Sequence, residues 1–97
     1  MEQDTYTTDV IFRKEKDKTI VAIFPYSIYN QKGLVDCYAH LGQHSGCDYN
    51  HMVNTTKLAT PVEYADLKKE LEGVGYKFRV IRKRHYNTYI NRVYGIR

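Results

Sequence analysis

Apolar residues gather in two short runs near the start of the chain, residues 9–13 (DVIFR) and 19–26 (TIVAIFPY). Both are rich in β-branched and aromatic side chains, and the charged interval 14–18 (KEKDK) is short enough to join them, so the pattern predicts a β-hairpin. In the second run Ile20, Ala22 and Phe24 alternate with Val21 and Ile23. Both faces are apolar, which predicts a central strand. Pro25 has no N–H to donate and is expected to end its ladder. Residues 27–33 (SIYNQKG) read as a loop. From 34 to 41, Val35, Cys37, Ala39 and Leu41 fall on one side of a strand, and Leu34, Asp36, Tyr38 and His40 on the other. That alternation places Cys37 in the core and turns Tyr38 and His40 away from it. Residues 42–50 carry two glycines and no period, and are expected to form a loop; residues 51–55 are expected to form a short edge strand.

The helix signal is confined to one place. Thr60 offers a capping hydroxyl, Pro61 has the preset φ for the first helical position, and Glu63 completes a T-x-x-E capping box. Ala59 is placed to staple against Tyr64. Tyr64, Leu67 and Leu71 then recur on one stripe that Val74 extends, with Asp66, Lys69 and Glu70 opposite, and Gly73 or Gly75 suits the C-cap. Residues 76–83 alternate Tyr76, Phe78 and Val80 against Lys77, Arg79 and Ile81, which predicts a strand with one face inward.

The elements add up to a single α+β domain: a mostly antiparallel sheet of about four strands with one helix on one face. Residues 1–8 are expected to be flexible, 9–84 to form the domain, and 85–97 to be a basic, tyrosine-rich tail or an extra strand. No internal repeat is present, and 97 residues suffice for one small core. One helix leaves the second sheet face uncovered, so Asp36, Tyr38, His40, Lys77 and Arg79 are expected on an open face. Its plainest reading is the wet side of the sheet.

Charge changes this picture more than composition does. Of 15 Lys/Arg and 11 Asp/Glu, residues 1–72 hold 8 and 11, whereas residues 73–97 hold 7 and none. The C-terminal end is therefore a candidate anion-binding surface rather than only a solvated one. No apolar run reaches the roughly 18 residues of a membrane span, and the acidic start MEQDTYTTD lacks the parts of a signal peptide. A cytoplasmic protein with no membrane partner is expected. In that compartment Cys37 and Cys47 are expected as free thiols, although a bridge between them is chemically open.

C-Y-A-H-x-G-Q-H at residues 37–44, with T-P-x-E-Y-A-x-L-x-K-E-L-E-x-x-G-Y at residues 60–76, resembles small bacterial proteins, some of them associated with mobile elements. The resemblance covers about residues 10–84. It implies a compact α+β domain in a bacterial cell and carries no assigned activity.

Residues 36–51 (DCYAHLGQHSGCDYNH) hold both cysteines and three of the four histidines. His40, His44, Cys47 and His51 are zinc-competent donors spaced H-x3-H-x2-C-x3-H, yet the paired C-x2-C knuckle of structural zinc folds is missing. The expectation is no metal and no cofactor, with these four as weak candidates only. Cys37 and His40 lie on opposite strand faces and cannot pair as nucleophile and base. Cys47 with His44 or His51 lacks an orienting third group, and no P-loop, G-x-G-x-x-G or H-E-x-x-H is present. Residues 42–44 are read as a polar turn. A binding or accessory module is therefore favoured over an enzyme. The first expectation is nucleic acid, its phosphates meeting Lys77, Arg79, Arg82, Lys83 and Arg84 and its bases stacking on Tyr38, Tyr86 and Tyr89. The alternative is a protein partner or a second copy of the chain. A thiol- or metal-dependent site within residues 37–51 comes third.

Overall fold

The two opening runs pair as expected. In the computed structural model, which describes residues 8–28, 34–39 and 43–84, β1 (Thr8–Lys14) and β2 (Ile20–Ile28) form an antiparallel hairpin with Ile11 opposite Ile23 and Lys14 opposite Ile20. The turn closes through hydrogen bonds from Glu15 N–H to Thr19 O and from Lys18 N–H to Glu15 O, with Lys18 at φ 73°. Pro25 does not end β2. Pairing with β3 (Val35–Ala39) is instead interrupted between Phe24 and Ile28, because the ladder lacks a donor at the buried proline and bulges there. Residues 1–7, 29–33, 40–42 and 85–97 lie outside the described residues, and with them most of the expected flexible start, most of the 27–33 loop, the end of the expected 34–41 strand and the whole tail.

β4 (Gln43–Cys47) and α1 (Tyr49–Thr55) take forms other than those expected, and β5 (Lys57–Leu58) was not expected at all. Residues 42–50 were expected as a loop, but β4 (Gln43–Cys47) pairs antiparallel with β3, and a disulfide between Cys37 and Cys47 ties the two strands at a Cα–Cα distance of 6.2 Å. Free thiols were expected; in the structure both sulfurs are bonded. Residues 51–55 were expected as a strand, but α1 (Tyr49–Thr55) is a helix. Asp48 caps it by accepting the His51 N–H at 2.9 Å. Seven residues are too few to show a 3.6-residue period or to be stable alone, so this helix depends on tertiary contacts.

β5 (Lys57–Leu58) leads into α2 (Pro61–Val74), whose capping box forms as the sequence predicts: Thr60 N–H donates to Glu63 Oε1 and Glu63 N–H to Thr60 Oγ1. Gly75, at φ 120°, takes the C-cap, where a side chain would be strained. Leu67 and Leu71 are buried, whereas Val74 is exposed and does not extend the stripe. β6 (Phe78–Val80) then runs parallel to β1.

The sheet order is β4-β3-β2-β1-β5, with β6 also on β1. β5 and β6 share one edge of that strand: Thr8 N–H donates to Lys77 O, Val10 O accepts from Ile81 N–H, and Phe12 O accepts from Ala59 N–H. Successive even-numbered residues of β1 direct their backbone groups to the same side, so β6 and β5 lie end to end along it.

Both faces of the sheet are covered, which corrects the expectation of an open face. Val10, Phe12, Ala22, Phe24 and Tyr38 pack against Leu67 and Leu71 of α2. On this side Phe12 stacks on Tyr64 at 4.4 Å between centroids, and Phe24, Tyr76 and Phe78 stack in turn. Ile11, Val21, Ile23, Val35 and Cys37 pack on the other side against Met52 of α1. Cys37 is therefore buried as expected, but so is Tyr38. Tyr38 pairs with Ala22 and Cys37 with Ile23, and because β2 is apolar on both faces each partner is drawn into a core. The α+β class and the mostly antiparallel sheet are as the sequence predicts.

Candidate nucleic-acid interface

The basic residues expected to meet phosphate sit where β6 joins the edge of β1 and in the bend that follows. Thr8 and Val10 of β1 hold the backbone of residues 77–81, and Ile81 packs against the α1-side core. Lys77, Arg82 and Lys83 are exposed, and among the described residues none of them forms an ion pair. They are the cations of this edge that remain available to a ligand.

Arg79 is otherwise engaged. Its Nε and Nη2 donate to the two carboxylate oxygens of Asp9 at 2.8 and 2.9 Å. The Asp9 side chain is 4% exposed and that of Arg79 67% exposed, so the pair bridges the sheet edge and the solvent. The hydrogen bonds it donates to Asp9 hold the guanidinium above the ordinary arginine value. Arg79 thus compensates a buried carboxylate and adds little net charge to the surface.

Arg84 is also positioned. Its guanidinium carbon lies 4.1 Å from the centroid of the Tyr49 ring, and its backbone N–H donates to the Tyr49 hydroxyl at 2.7 Å. Tyr49, the first residue of α1, was not expected to take part. Its one sequence signal was its place directly after Asp48, the capping residue of a helix that the pattern did not reveal.

The aromatic part of the expectation is corrected. Tyr38 is 4% exposed, beneath α2, and its hydroxyl donates to Glu70 Oε2. No base can reach its ring. Tyr86 and Tyr89 lie outside the described residues, as does His40. His44 belongs to β4 by its backbone, and its side chain is outside the described residues. His51 is exposed on α1, and Cys47 is bonded to Cys37 and has no thiolate to offer a metal. The four weak metal candidates are not brought together by described contacts, and no group of three potential ligands occurs among the described residues.

No described helix is long and apolar enough to cross a membrane. The chain matches no protein-family model, and no curated protein or solved structure is significantly similar to it.

Proposed function

We propose that the protein is a nucleic-acid-binding module that takes the phosphate backbone of a single strand along the β6 edge. The observation that carries this reading is the set of exposed cations Lys77, Arg82 and Lys83 in a segment, residues 73–97, that has no acid. Arg84, held on Tyr49, would add a fixed guanidinium at the end of that edge. Arg79 serves the fold, and Tyr38 has no part in it.

The test is fluorescence anisotropy of labelled single-stranded DNA and RNA at low salt. Saturable binding is expected, weakened about tenfold or more by changing Lys77, Arg82 and Lys83 together to Gln. Failure of the parent to bind would transfer the reading to a protein partner. Leu58 and Val80, each 38% exposed on the same edge, are the observation that would favour it.

A further inference from the structure

At the opposite end of β1 the hairpin turn meets the α1–β5 junction, and between them lies a cleft of about 510 Å³. Lys14, Lys16, Lys18 and Lys57 line it, from three different elements of the chain. Of these, Lys14 is bound to Glu63. Lys16, Lys18 and Lys57 are in no ion pair among the described residues, and each is exposed. Two acids are near: Glu15 lines the cleft, and Asp17 of the turn accepts the Thr19 N–H at 3.0 Å.

The wall of the cleft adds a second, independent feature. Thr56 lines it, and behind Thr56 stands Arg13, only 8% exposed. Among the described residues the side-chain hydrogen bonds of Arg13 run to neutral groups: Thr56 Oγ1 at 2.7 Å, Thr56 O at 2.7 Å and Val53 O at 3.3 Å. Buried guanidinium groups ordinarily face a carboxylate, because removing a cation from water without a counter-charge is costly. Here the carbonyl dipoles at the end of α1 supply part of that compensation. Arg13 in turn donates to two of those carbonyls and offsets part of the repulsion they would direct at an anion. Counting Arg13, the four lysines, Glu15, Asp17 and Glu63, five cations face three acids across this end of the sheet.

We propose that this cleft is a binding site for phosphoryl anions, separate from the β6 edge. Lysine ammonium groups suit such a ligand because they act as point charges with rotatable donors and need no planar match. Cations from several elements around one space suit a ligand with more than one phosphoryl group. The ligand is either a free polyphosphate species or the backbone of the strand proposed to lie along β6. The site does not depend on that function, and the experiment separates the two.

Amide spectra of the full chain are recorded during titration with inorganic pyrophosphate, with sodium chloride at matched ionic strength as control, and again with single-stranded DNA. Pyrophosphate is expected to shift the amides of Lys16, Lys18, Thr56 and Lys57 saturably, and chloride is not. Changing Lys16, Lys18 and Lys57 together to Gln should weaken this about tenfold, the equivalent of about 1.4 kcal/mol, with the melting temperature unchanged. DNA that displaces pyrophosphate from these amides identifies backbone phosphate as the ligand; DNA that shifts only residues 77–84 identifies a free phosphate species. Absence of DNA shifts at residues 77–84 would end the proposed function and leave the cleft standing. The site itself is refuted by absence of saturable shifts at the cleft, by equal shifts with chloride, or by shifts that persist undiminished in the variant.

Discussion

Arg13 and Thr56, 43 residues apart, are joined by two hydrogen bonds of 2.7 Å, one to the hydroxyl and one to the carbonyl of Thr56. Thr56 is the C-cap of α1, and its hydroxyl in turn donates to Met52 O. A residue of the central hairpin thus closes the end of a helix too short to persist alone. The contact couples the hairpin to the element that covers the second sheet face.

Replacing Arg13 by Met should therefore destabilise the fold by about 2–3 kcal/mol, because it leaves the carbonyls of Val53 and Thr56 without their charged donor. Burial pulls the Arg13 guanidinium below its ordinary value, so the acceptors around it do not fully replace the water it has lost. Urea unfolding gives the stability, and amide exchange of residues 49–55 should accelerate more than that of α2. Equal acceleration in both helices would deny the local role of the contact.

Glu63 links α2 to β1, and its hydrogen bonds from Lys14 and from the Thr60 backbone hold its carboxyl below the ordinary glutamate value of 4.5. A depressed folded-state value contributes stability that is fully present above 4.5 and is lost as pH falls through the lower value. The urea midpoint of the parent should decline across that acidic interval more than that of Glu63→Gln, the two curves converging at the lowest pH. Parallel curves would show that the Lys14–Glu63 contact is not made in solution.

The Cys37–Cys47 bond predicts that the unfolded, unreduced protein takes up no alkylating reagent. It closes a loop with a sequence separation of 10, so reduction should lower stability by about 2–3 kcal/mol. Mass spectrometry after alkylation in denaturant, with and without reductant, reads the first result. Two labels without reductant would restore the free thiols expected from the sequence.

Elements with their own local signal were legible in the sequence. The capping box at Thr60 and Glu63, the stripe of Tyr64, Leu67 and Leu71, and the two apolar runs of the hairpin carry periodicity or cap chemistry within a few residues. β4 and α1 carry almost none. β4 contains Gly46 and is defined by its pairing with β3 and by the disulfide, and α1 by Arg13 at its end and by the β1–β3 residues that receive its Met52, which are contacts outside each segment itself. The one usable sign of α1 was Asp48 as a capping residue. Missing that helix had a direct cost for the site: it left a sheet face apparently open, put Tyr38 on it, and hid the ring of Tyr49 that holds Arg84. The basic edge was legible because charge asymmetry needs no tertiary information, although the tie between Asp9 and Arg79 could not be seen in it.

The central claim is that Lys77, Arg82 and Lys83 meet phosphates, and salt dependence measures this most directly. Affinity for a labelled single strand is determined at several salt concentrations for the parent and for the variant with all three changed to Gln. Each phosphate contact on a single strand contributes about 0.7 to the slope of log affinity against log salt, so the variant should be shallower by about 2. Binding by both proteins with the same slope would contradict the account, because the counterions released would then come from other residues.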